Sequence, residues 1–155
     1  MDDGQGIEPD GLPAFDLGGF TPYRVALVAQ RLSEALAREY RVRFGLSVPE
    51  WRVLAHLAQS DAVSVRDIED AVAMEKSRVS RTAARLEARG LVAKRADPGD
   101  RRLVQLSLTG DGRAMMADLL PLASAFQGEI EAQLGTDFAG FDRALGRLLE
   151  AYRGG

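Results

Sequence analysis

The stretch MEKSRVSRTAARLEARGLVAKRADPGDRRLVQLSLT, Met74 to Thr109, holds two periodicities in succession. In its first half Val79, Thr82, Ala83 and Leu86 recur at three- and four-residue spacing, which predicts an amphipathic helix from about Lys76 to Arg89. Gly90 followed by apolar Leu91 is the pattern of a glycine-terminated helix with a hydrophobic latch. From there the period falls to two. Leu91–Ala96 and Leu103–Leu108 are short extended runs, and the second alternates Val104, Leu106 and Leu108 with Gln105 and Ser107. Asp97-Pro98-Gly99-Asp100 between them is a turn. The expectation is a helix feeding a two-stranded β-hairpin with a charged tip.

Upstream, Ser64-Val65-Arg66-Asp67 caps a short helix through Ile68, Ala71 and Val72, followed by a turn at Ala73-Met74. Ser47-Val48-Pro49-Glu50 is a capping box with proline in the first turn, opening a helix through Trp51, Leu54 and Leu57. Further back, Thr21 as a hydroxyl cap and Pro22 at the first helical position start a long helix. It carries Val25, Val28, Leu32, Leu36 and Tyr40 to about Phe44, and Gly45 stops it. Residues 1–20 contain five acids, five glycines and no basic residue, and read as a disordered or loosely docked arm. Phe15, Leu17 and Phe20 are available to pin its end. Downstream, Thr109 caps a long helix with Met115, Leu119, Leu122, Phe126 and Ile130, which Pro121 should kink or break. Thr136 opens a last helix through Phe138, Phe141, Leu145, Leu148 and Tyr152.

The fold class expected is therefore mainly α (α+β). A winged helix-turn-helix domain at 47–109 is flanked by long helices at 21–46 and 110–153. Those flanking stripes surround a domain that already has a core, so a two-fold related copy is the natural partner; packing within one chain is the alternative.

Composition narrows the chemistry. The 155 residues are 46% apolar and 28% charged, which suits one soluble domain. Cysteine is absent, which excludes disulfides, thiolate-bound zinc, iron–sulfur clusters and thiol catalysis. No apolar run reaches the roughly 20 residues of a membrane span. The acidic N-terminus lacks the order of a secretion signal, so a cytoplasmic location and no membrane partner are expected. Catalysis, a metal site and a cofactor are not expected. His56 is the sole histidine, no phosphate loop or nucleophile elbow occurs, and Asp67, Glu69 and Asp70 have no histidine beside them.

Charge is unevenly placed. The whole chain carries −3, yet Glu75–Arg102 holds nine basic residues against four acids. Concentrated positive charge is what a nucleic-acid footprint requires, although a solvated charged surface has the same composition. On the helix after Met74, the side opposite Val79 and Leu86 presents Ser77, Arg81, Ala84 and Ala88, flanked by Arg78, Ser80 and Arg85. Alanine permits close approach, serine donates to phosphates or bases, and arginine pairs bidentately with guanine. At the hairpin tip, Arg101 and Arg102 are too exposed to serve a core, and Asp100 is placed to hold Arg102 extended toward a minor groove.

The run from Met74 to Thr109 resembles the MarR family of bacterial transcription regulators in recognition helix and wing, and the helix order fits from about Thr21 to Tyr152. The resemblance implies a homodimer, usually a repressor, binding double-stranded DNA at a pseudo-palindromic operator with half-sites about one helical turn apart. By position it implies Ser77, Arg78, Ser80 and Arg81 in the major groove and Arg102 at the wing tip, held by Asp100. Lys76, Arg85, Arg95 and Arg101 complete the expected DNA-binding set. Glu75 departs from the Asp of many relatives and is a poorer cap. Phe44–Leu54, with Pro22-Tyr23-Arg24, is similar to members that sense aromatic acids or their coenzyme A thioesters. The implied effector is a small organic molecule near Tyr23, Arg24, Arg38, Trp51 and His56, and the absence of cysteine removes the peroxide-sensing branch. Two other readings compete: a winged-helix protein-interaction module without DNA binding, and a small helical enzyme dependent on His56.

Overall fold

Glycines, prolines and short polar caps set the element boundaries in the computed structural model, which describes residues 11–72 and 74–153. The elements are α1 (Thr21–Phe44), α2 (Val48–Ala58), β1 (Val63–Ser64), α3 (Val65–Ala71) and α4 (Lys76–Ala88). There follow β2 (Val92–Ala96), β3 (Val104–Leu108), α5 (Gly110–Leu134), a 3-10 turn (Gly135–Asp137) and α6 (Phe138–Ala151). The expected turn at Ala73 and the first ten residues of the expected arm lie outside the described residues. The chain forms two compact units, 1–35 and 36–155, with α1 running through the division.

In unit 1–35, residues 11–20 are exposed, and the Phe15 and Phe20 rings meet edge to face at 5.2 Å between centroids. Thr21 is not the cap that was expected. The Phe20 carbonyl accepts the first helical bond, from the Arg24 N–H, so Thr21 is already inside the helix.

In unit 36–155 three of the expected polar caps form, among them Thr109, whose Oγ1 accepts from the Gly112 N–H to start α5. Ser47 Oγ accepts from the Glu50 N–H while Glu50 Oε1 accepts from the Ser47 N–H, closing the capping box of α2. Ser64 Oγ accepts from the Asp67 N–H to start α3. The core gathers Leu46 from the α1–α2 connection and Val53, Leu54, Leu57, Ile68, Val79, Leu86, Val92 and Leu106 from α2, α3, α4 and the sheet, with Met116 and Leu119 added from α5. Trp51 stacks on buried Tyr40 of α1 at 5.7 Å and is only half-buried.

Three expectations need correction. The sheet has three strands, in the order β1-β3-β2, where two were expected. Val63 pairs with Leu106 and Ser64 with Gln105; a two-residue strand shows no alternation to read. Second, α5 runs unbroken through Pro121. Proline removes one donor and clashes with one carbonyl, and here flanking turns carry the helix across. Third, Thr136 does not cap the last helix. Gly135, at φ +56°, leads into the 3-10 turn, and α6 starts without a side-chain cap.

Candidate nucleic-acid interface

Helix α4 is amphipathic in the sense expected. Val79, Thr82, Ala83 and Leu86 are buried, while Lys76, Ser77, Arg78, Ser80, Arg81, Ala84, Arg85 and Ala88 are exposed. Its start is open. Glu75 occupies the cap position without a side-chain hydrogen bond, so no side chain closes the first backbone N–H groups of the helix. Its end is closed by glycine. Gly90, at φ +74°, donates to the Glu87 carbonyl and Leu91 N–H to the Leu86 carbonyl, with Leu86 and Leu91 both buried as the latch.

Among the described residues Arg78, Arg81, Arg95 and Arg101 form no ion pair. Arg85 donates only to Thr82 Oγ1, at 3.3 Å. Among the described residues, no carboxylate pairs with Arg78, Arg81 or Arg85 on the exposed face of α4.

The wing is built from β2, β3 and a tip ordered by one carboxylate. Asp97 Oδ1 accepts from the N–H groups of Gly99 (2.7 Å) and Asp100 (3.1 Å), and its Oδ2 accepts from Gln105 Nε2 at 2.9 Å. Those hydrogen bonds, led by the one from Gly99, hold the Asp97 carboxyl below the usual carboxylate range. Beyond this brace Asp100 Oδ1 accepts from both the backbone N–H (3.0 Å) and Nε (3.3 Å) of Arg102. The Arg102 side chain is otherwise 93% exposed. It is held at its base and free at its guanidinium tip.

Between α4 and the wing runs a cleft of about 280 Å³, lined in part by Arg66 and Glu69 of α3, Lys76 and Ser80 of α4, Lys94 of β2 and Arg102. Four cations face one acid there. The sequence reading missed Arg66 and Lys94, which lie outside the recognition helix and wing tip. The available signal was the charge count for Lys94 and the position at the start of α3 for Arg66. Lys94 also reaches Glu87 at 3.8 Å.

The five expected effector residues are dispersed. Trp51 and His56 line one shallow groove of about 360 Å³ with Arg52, Ala55, Gln59, Ala71 and Val72. Arg38 is exposed on α1 and is not part of that groove. Tyr23 and Arg24 are exposed near the start of α1, in unit 1–35. Among the described residues there is no cluster of metal-ligating side chains, and no helix is long and apolar enough to cross a membrane.

A sequence profile of the MarR family matches residues 44–103. The fold is similar to a MarR family transcriptional regulator from Silicibacter pomeroyi, with TM-score 0.79 and 34% identity over 89% of this chain and 98% of that one. It is also similar to BpsR of Bordetella bronchiseptica, whose DNA binding is regulated by 6-hydroxynicotinic acid. That match has TM-score 0.76 and 26% identity, covering 88% of this chain and 97% of BpsR. The uncharacterized HTH-type transcriptional regulator YdgJ of Bacillus subtilis is 24% identical over 108 residues, 70% of this chain. The match spans 66% of the length of that curated relative, just under two thirds.

Proposed function

The chain belongs to the MarR family of transcriptional regulators, and from that premise we propose that it is a ligand-responsive homodimeric repressor that binds a pseudo-palindromic operator. In this reading residues 47–109 form the DNA-binding domain, and 21–46 with 110–153 form the dimerisation domain. Helix α4 enters the major groove with Ser77, Arg78, Ser80 and Arg81, and Arg102 enters the minor groove from the wing, held by Asp100. Lys76, Arg85, Arg95 and Arg101 neutralise phosphates, joined by Arg66 and Lys94 along the cleft.

The observation that carries this reading is the exposed α4 face, whose arginines have no acid partner among the described residues. Ala84 and Ala88 on the same face allow close approach to a groove floor, although alanine is also the best helix former on a solvated surface. Regulation follows from two dimer shapes. An aromatic acid or its thioester would favour the shape in which the recognition helices no longer match the half-sites, by no more than its differential affinity for the two. The groove holding Trp51 and His56 is the part of the expected effector site of a size to take an aromatic ring. BpsR, regulated by 6-hydroxynicotinic acid, supports that class of ligand.

The test is binding of the purified protein to genomic fragments over a range of salt. Phosphate contact predicts log affinity falling linearly with log salt, with a slope near −0.9 per phosphate neutralised. An interaction module bound through apolar area would leave the fragments unbound, or bound with little salt dependence. Adding a panel of aromatic acids and thioesters to the bound complex then identifies the effector class by release.

A further inference from the structure

We infer that Arg89 is a positioning residue that locks the recognition helix to the end of α1 and so sets the half-site separation the dimer accepts. The inference rests on the DNA-binding reading above. Among the described residues, Arg89 is the one cation of the Glu75–Arg102 run whose side chain donates to main-chain carbonyls. It sits at the C-terminal cap of α4, at the opposite end from Ser77 and Arg78.

Its guanidinium meets three acceptors from two other elements. Nη2 donates to the Phe44 carbonyl at 2.9 Å, and Nη1 to the Gly45 carbonyl and to Glu50 Oε2, both at 3.2 Å. Phe44 and Gly45 are where α1 ends. Carbonyls of a last helical turn lack intrahelical partners and carry the negative end of the dipole, so a cation there is favoured twice over. Glu50 is 8% exposed, and its other oxygen is already held by Ser47, whose N–H and Oγ both donate to it at 3.2 and 2.8 Å. The carboxylate cannot swing to follow Arg89, and the planar guanidinium fork cannot bend. One side chain therefore joins α1, α2 and α4 with fixed direction.

The rest of α4 is packed into the core through Val79, Ala83 and Leu86. Arg89 adds directed hydrogen bonds from the end of α4 to the end of α1 and the start of α2. If α1 carries the dimer contact, any change in its inclination reaches α4 through this junction.

The experiment uses the full chain and a duplex that wild-type protein enriches from genomic DNA. One base pair, about 3.4 Å of helix axis, is inserted or removed between the half-sites. Arg89→Lys keeps the charge and loses the fork. Glu50→Gln keeps an acceptor for the cap and loses the charge, and serves where the first variant folds poorly by circular dichroism. Wild type should prefer the native spacing by about tenfold or more, and each variant should bring that ratio toward one. The doubly substituted protein should be no worse than the worse single variant, because the two act through one contact. Uniformly weaker binding with the spacing ratio intact would mean a merely structural role and would overturn the inference alone. A wild type indifferent to spacing would overturn the two-half-site reading and the inference with it.

Discussion

Arg81 lies on the exposed face of α4 without an ion pair, and its function in this account is to read a base. Arg81→Ala should therefore cost on the order of 1–3 kcal/mol of specific binding and relax preference at one position of each half-site. A binding-site selection with unchanged preference would remove Arg81 from the major groove. Arg102→Ala should weaken binding without unfolding the protein, since its side chain is 93% exposed. Asp97 sets a different expectation, because its carboxyl is depressed by the N–H groups of Gly99 and Asp100. A depressed carboxylate lends its order above the ordinary value of about 4 and loses it as pH falls through the lowered one. The Gly99 and Asp100 amide resonances should hold steady down to that range and shift below it, and Asp97→Asn should abolish the shift. These residues were legible because their chemistry is local: a turn peptide, a charge pair two residues apart, a helix face. Arg89 was not, since its partners lie 39 to 45 residues away and nothing in the order of the chain brings them together.

At the level of elements, period and punctuation predicted α2, α3, α4 and the β2–β3 hairpin within a residue or so. Each begins at a polar cap or ends at a glycine that the structure uses as such. The misses have separate causes. Strand β1 is too short to show alternation, Thr136 has a hydroxyl but lies within a 3-10 turn, and α5 continues through Pro121. One element contact was also invisible in the sequence. The first turn of α5 presses against the start of β2, where a Cβ on Gly112 would fall inside contact distance of the Leu91 carbonyl oxygen. Gly112→Ala should accordingly destabilise the protein by about 1–3 kcal/mol in thermal unfolding, because the obstacle is backbone and cannot rotate away. A variant as stable as wild type would show that α5 can shift off the wing at no cost.

For the whole molecule, the distribution of apolar surface is the informative quantity. Met116 and Leu119 of α5 complete the core, yet α6 buries no side chain, and Phe141, Leu148, Leu149 and Tyr152 stay exposed on a helix with a clear apolar side. In the proposed dimer a second copy would cover this face and offer the same face in return. Leu148→Asp should therefore yield monomers by sedimentation, since the two-fold relation applies the loss of about 1.5–3 kcal/mol per leucine twice. Unaltered dimers would place the interface elsewhere. The central claim is that two copies present their α4 faces together to one duplex, and a hydroxyl-radical footprint on an enriched genomic site measures this directly. The account predicts two symmetric protected patches about one helical turn, roughly 34 Å, apart. A single patch, or a backbone cleaved evenly at saturating protein, would contradict it.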